Sequence, residues 1–255
     1  MKQSKDYLIF PLDVPSMEEA LGLVQTLAPV VGTFKIGLEL FIKCGPEIIS
    51  RVKAQAPECN IFLDLKLHDI PATVNRAMRQ VAALGIDMAT VHCGESKRML
   101  EAAVKGAGND LKVLGVTVLT SVGAGDLLRA GYDQALADNL PELVLKKARM
   151  AAESGCAGVI CSPLEAGSIK KHLGHPFLAV TPGVRPQQRD SLPDDQVRVA
   201  TPGGAIANGA DYLVIGRPIR DAANPLAAAE AVLAEIGPQF NQKPECQRTE
   251  IGGPD

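Results

Sequence analysis

Ile61-Phe62-Leu63-Asp64-Leu65-Lys66-Leu67-His68-Asp69-Ile70-Pro71-Ala72-Thr73 carries an apolar strand into an alternating acid, base and acid, and then into a helix. Side chains on a strand alternate between faces, so Asp64 and Lys66 point one way while Leu63, Leu65 and Leu67 point the other. Asp69 falls just past the strand end, and Pro71 suits the first position of a helix. A surface ion pair at a strand terminus contributes little and needs no function. Two aspartates flanking one lysine beside a buried strand fit a tuned site better.

This strand-to-helix junction is one of a series. Apolar, strand-like runs recur roughly every 25 to 30 residues, each followed by a helical pattern, as expected of a parallel sheet. The runs are Tyr7 to Leu12, Thr33 to Ile36, Ile61 to Leu65, Met88 to Val91, Lys112 to Leu119, Gly158 to Cys161, Phe177 to Val180 and Tyr212 to Ile215. Helix signals lie between them: Ser16-Met17-Glu18-Glu19 resembles a capping box, and Gly85 and Gly155 stand where helices should end. The number of runs favours a single-domain (β/α)8 TIM barrel of the α/β class, spanning residues 1–237, over an open doubly wound sheet. Such a sheet would carry a glycine-rich turn after its first strand, where this chain has Asp13-Val14-Pro15. Residues 238–255 are polar, aperiodic and rich in glycine and proline, and are expected to be disordered.

The composition narrows the function. A formal charge of -3 without a basic stripe gives no footprint for nucleic acid. No stretch has the unbroken apolar length of a membrane span, and Met1 to Asp6 is polar, so a cytoplasmic protein is expected. The six cysteines form no C-x-x-C pair and lie mostly near or inside apolar runs, as reduced buried thiols do.

Chemistry in such barrels sits at the C-terminal ends of the strands, and those ends are rich here. They supply Asp13, Lys35, Asp64 with Lys66, His92, Thr120-Ser121, Ser162, Thr181-Pro182-Gly183-Val184-Arg185 and Gly216-Arg217. The connection from Gly183 to Thr201 is a candidate lid, and Leu128 to Leu140 a second excursion. His92, closing a short strand, fits a structural role, because no ligand spacing around it supports a metal.

Taken together, Asp13, Thr33 to Gly37, Asp64 to Thr73, Thr181 to Pro186 and Val214 to Pro218 strongly resemble the orotidine 5'-phosphate decarboxylase family. D-x-K alone is shared with other phosphate-binding barrels; D-x-K-x-x-D-I-P-x-T with the strand-two lysine and a terminal G-R is specific. The resemblance implies cofactor-free and metal-free decarboxylation of orotidine 5'-monophosphate to uridine 5'-monophosphate in de novo pyrimidine synthesis. It also implies a homodimer with shared sites. Lys35, Asp64, Lys66 and Asp69 would form an alternating charge network, with Asp69 and Thr73 reaching across the interface and Lys66 giving the proton. Asp13 and Lys35 would contact the ribose, and Thr120, Ser121 and Pro182 the substrate. Arg185, Gly216, Arg217 and a glutamine, with Gln196 fitting better than Gln187 or Gln188, would hold the phosphate. Two rivals stand beside this reading. Magnesium-dependent sugar phosphate decarboxylases and aldolases share D-x-K-x-x-D, and a non-catalytic phosphate sensor would share the fold but would not require a lysine between two acids.

Overall fold

The computed structural model describes residues 3–94, 96–186 and 200–242. Among them, eight parallel strands close into a barrel in chain order: Leu8–Pro11 (β1), Thr33–Gly37 (β2), Asn60–Leu67 (β3), Met88–His92 (β4), Lys112–Val116 (β5), Gly158–Ile160 (β6), Leu178–Thr181 (β7) and Tyr212–Val214 (β8). Strand β8 pairs back onto β1, with Ile9 opposite Val214. Met17–Leu27 (α1) follows β1, Leu38–Cys44 (α2) and Glu47–Gln55 (α3) follow β2, Pro71–Ala83 (α4) follows β3, and Lys97–Ala107 (α5) follows β4. After β5 come Ala124–Arg129 (α6), Gln134–Asp138 (α7) and Leu140–Glu153 (α8), and after β6 comes Ala166–Leu173 (α9). Pro202–Ala207 (α10) precedes β8, and Arg217–Arg220 (α11) and Pro225–Gln242 (α12) complete the ring.

The junction signals act as the residue types require. Ser16 caps α1, its hydroxyl accepting the Glu19 N–H at 3.2 Å. Pro71 opens α4, while Gly85 and Gly155, at φ +64° and +83°, end α4 and α8 in the left-handed region that glycine enters without penalty. The excursion after β5 folds as the short helices α6 and α7.

The two faces of the strands build two cores. Phe10, Phe34, Ile61, Leu63, Val91 and Val113 face the helices, with Phe10 and Phe34 edge to face at 6.4 Å. Their neighbours in sequence, Ile9, Phe62, Met88, Leu114, Leu178 and Val180, meet in the lumen and fill it. The barrel is thus a packed core, leaving only its ends for a ligand. Burial pushes the Cys93 and Cys156 thiols up to about 12, the setting of inert core cysteines.

Most strand ends differ from the sequence pattern by one or two residues, and two boundaries differ by more. The apolar run from Lys112 stays in the sheet only to Val116, because the ladder to β6 ends at Val116 opposite Ile160, and Thr117 to Thr120 leave it for the mouth. Helix α12 continues to Gln242, past the boundary placed at residue 237 and through the start of the segment expected to be disordered. Buried Ala229, Val232 and Ile236 anchor it, and this packing outweighs the breaker signal of Gly237-Pro238. No helix of the described residues is long and apolar enough to cross a membrane.

Candidate active site

A cavity of about 410 Å³ opens at the C-terminal end of the barrel. Phe62, Val116, Ile160 and Val214 form its apolar floor, directly above the filled lumen. Asp13, Lys35, Asp64 and Lys66 line the β1 to β3 side. Pro182, Gly183, Arg185, Gly216 and Arg217 line the β7 to β8 side.

The β1 to β3 side is one connected charge array. The Lys66 ammonium donates to Asp64 Oδ2 at 2.8 Å, and the Lys35 ammonium lies 3.5 Å from the same oxygen. Lys35 also donates to Asp13 Oδ1 at 3.1 Å. Asp64 is buried, and burial alone works to raise its pKa. Lys35 and Lys66, with hydrogen bonds from Lys66 and Thr90, outweigh that and hold the carboxyl below its ordinary value, so it is charged at neutral pH. Both lysines therefore have a fixed counter-charge in a site partly removed from water.

Lys66 occupies an unusual backbone position. It is the non-glycine residue with a positive φ, 51°, among the described residues. A lysine in that region costs about 1 kcal/mol or more, strain of the kind that gathers at functional sites. The β3–β4 ladder shifts register at this point, between Leu63 and Leu67. Thr90 on β4 faces the irregularity. Its hydroxyl donates to Asp64 Oδ1 at 2.9 Å, and its oxygen accepts the Lys66 N–H at 2.9 Å.

The arginine side rests on glycine geometry. Gly183 has φ +82°, and a Cβ on Gly216 would stand 2.8 Å from Pro11 Cγ, so both positions exclude a side chain. That close approach sets Arg217 beside β1. Val184 and Ala200 form a parallel bridge, with Arg185 N–H donating to the Ala200 carbonyl at 2.9 Å, which pins the base of the long connection. Arg220, at the other end of α11, donates to the Asp13 carbonyl at 2.8 Å and ties the arginine side to the charge array.

The structure brings Asp13, Lys35, Asp64, Lys66, Thr120, Pro182, Arg185, Gly216 and Arg217 into one cavity. Ser121 is exposed and lies outside its lining. Asp69 is also exposed and outside it, its carboxylate accepting the Ile70 N–H at 2.6 Å, while Thr73 sits half-buried in the first turn of α4. Gln187, Gln188 and Gln196 lie outside the described residues. The His92 ring lies 5.9 Å from that of His68, tilted by 43°, and burial, followed by His68, Lys147 and Lys66, lowers its pKa. Sequence reasoning missed Thr90, Phe62, Cys161 and Arg220. A signal existed for Thr90: as a lone hydroxyl two residues from Met88 and two from His92, it lies on the lumen face of β4.

Fold and site together define a (β/α)8-barrel enzyme whose mouth carries two arginines and paired lysine–aspartate charges. The model of the "Orotidine 5'-phosphate decarboxylase / HUMPS family" matches residues 6–232, and the chain belongs to that family. It is 53% identical to an orotidine 5'-phosphate decarboxylase of Desulfosudis oleivorans over 91% of this chain and 93% of the relative. It is 43% identical to one from Gloeothece citriformis, over 91% of this chain and 97% of that one. The crystal structure of orotidine 5'-phosphate decarboxylase from Lactobacillus acidophilus is similar, with a TM-score of 0.76 and 38% identity, covering 90% of this chain and 98% of that chain.

Proposed function

We propose that this protein converts orotidine 5'-monophosphate to uridine 5'-monophosphate and carbon dioxide, in the cytoplasm, as a step of pyrimidine synthesis. The observation that carries the reading is the convergence of the Lys66 and Lys35 ammonium groups on one oxygen of buried Asp64, across a cavity from Arg185 and Arg217. Breaking the bond between C6 and the carboxylate leaves an electron pair in the plane of the pyrimidine, where the ring π system cannot spread it. Lys66 stabilises that charge and delivers its proton to C6, and solvent then restores the proton to the amine. Asp64 holds the Lys66 ammonium in place at 2.8 Å and lies near the departing carboxylate, where repulsion falls as charge moves toward Lys66. Asp13 and Lys35 hold the ribose hydroxyls, Thr120 and Pro182 meet the rest of the nucleoside, with Ser121 at the rim beside Thr120, and Arg185, Gly216, Arg217 and Gln196 hold the phosphate.

Asp69 and Thr73 complete the site from a second copy of the chain. Supporting this, Asp69 stands outside its own chain's cavity, next to Ile70, which is 65% exposed. Leu38 and Ile42, one turn apart on α2, add 48% and 78% exposed apolar side chains after the neighbouring strand.

Lys35 separates this reading from the magnesium-dependent one. Its ammonium already bridges Asp13 and Asp64, the carboxylates a cation would need. The deciding experiment follows the loss of orotidylate absorbance with purified protein, before and after dialysis against chelator. Turnover unchanged by chelator is expected. Absence of turnover overturns the reading, and loss restored by magnesium moves the chain to the sugar phosphate group.

A further inference from the structure

We propose that Thr90 is the positioning residue of the Asp64–Lys66 pair, a role that rests on the assignment of Lys66 as proton donor. On the β3–β4 ladder Phe62 lies opposite Met88 and Leu63 opposite Ala89, and the next pair is Leu67 opposite Val91. Asp64, Leu65 and Lys66 therefore all face the single position Thr90. A bulge of this kind breaks the ladder and leaves backbone groups without their strand partner. The Thr90 hydroxyl takes the partner's place for Lys66, accepting its N–H at 2.9 Å, in the stretch where Lys66 adopts φ 51°.

The same hydroxyl has one proton to donate, and Asp64 Oδ1 receives it at 2.9 Å. That bond orients the carboxylate. With Oδ1 held against β4, Oδ2 is the oxygen turned to Lys66 at 2.8 Å and Lys35 at 3.5 Å. Thr90 is 1% exposed, so water does not replace it. A valine there has nearly the same size but no hydroxyl, and would leave the Lys66 N–H and an oxygen of the buried Asp64 carboxylate without that partner. Thr90 thus acts through Asp64 and Lys66, and does not line the cavity itself.

The test compares Thr90→Val with Thr90→Ser, which keeps the hydroxyl. Two readouts are taken: kcat and KM for orotidylate, and the carboxyl titration of Asp64 by carbon-13 NMR in the ligand-free protein. The charges facing Asp64 are Lys35 on β2, Lys66 on β3 and, further out, Asp13 after β1 and His92 on β4, and neither variant alters them. Thr90→Val should lower kcat by about 10- to 100-fold, as loss of a charge-assisted hydrogen bond does, with KM within about threefold. It should also move the Asp64 midpoint upward. Thr90→Ser should stay within about threefold of the wild type in kcat and keep its midpoint. If valine does not fold, Thr90→Ala carries the same comparison. An unchanged kcat and midpoint in the hydroxyl-free variant overturn the proposal, as does equal damage in a folded Thr90→Ser. Should the wild type not act on orotidylate, the functional reading fails on its own, and the ligand-free titration still decides whether Thr90 holds Asp64.

Discussion

The barrel carries a lysine–aspartate pair at each end, each with one buried partner, and their surroundings differ. At the bottom, Lys170 on α9 pairs with Asp211, at the start of β8. Its ammonium also donates to the carbonyls of Phe177 at 2.7 Å and His175 at 3.2 Å, and Asp211 accepts the Ala179 N–H at 2.8 Å. All three donors of that ammonium have protein acceptors, and its side chain is 7% exposed. At the mouth, the Lys66 ammonium donates to Asp64, its side chain is 30% exposed, and it lines the cavity. The same two residue types make a clamp where every donor is satisfied by the fold and, at the mouth, a pair that lines a cavity. Position along the strands decides which, since the C-terminal face of this fold receives ligands and the N-terminal face does not.

The largest effect that follows is a crossed one. Lys66→Ala should lower turnover by about a thousandfold or more, at or beyond the upper end of what a single electrostatic donor contributes, with a smaller loss of stability than the bottom pair shows, because Lys35 still faces Asp64. Lys170→Ala should do the reverse. Removing one partner of a buried, hydrogen-bonded pair costs about 3–5 kcal/mol of stability, and the molecules that remain folded should turn over normally. Denaturant unfolding and steady-state kinetics on both variants check this. The contrast breaks if Lys66→Ala keeps more than about a tenth of turnover, or if folded Lys170→Ala loses a comparable factor.

A second experiment sharpens the contrast, because the bottom pair is complete within one chain and the mouth is proposed to need two. Mixing Lys66→Ala with Asp69→Ala chains, each inactive, should restore activity after subunit exchange. Half of the randomly formed dimers are mixed, and each carries one intact site of two, so recovery should approach roughly a quarter of the wild-type sites. No recovery, with exchange demonstrated by a tag, would put Asp69 to work in its own chain.

The smallest effect is acid sensitivity at the mouth. The folded pKa of Asp64 lies below its ordinary value, through Lys35 and Lys66 acting against burial, so the stability it contributes is complete above about pH 5. It is lost as pH falls through the folded pKa, because protonation is then harder in the folded chain than in the unfolded one. Asp64→Asn removes the titration, and its melting temperature should fall less between about pH 5 and pH 3 than that of the wild type. Equal slopes would mean that Asp64 gains no net stabilisation from its lysines.

Much of this molecule is legible in its residues alone. Strand and helix periods are local properties, so the eight apolar runs, the Ser16 cap and the glycines after α4 and α8 mark the barrel before any contact is known. Alternation on one strand likewise places Asp64 and Lys66 on the lumen side, and strand ends point to Asp13, Lys35, Arg185 and Arg217. What tertiary structure alone decided involves partners distant in sequence. The end of β5 depends on where β6 stops, and the extent of α12 on the core under Val232 and Ile236. The bottom clamp joins Lys170 to Asp211 only when β7 and β8 lie side by side. The register shift that sets three residues of β3 against Thr90, and with it the left-handed Lys66, exists only once the barrel is closed, because a strand has no register until its neighbour is in place.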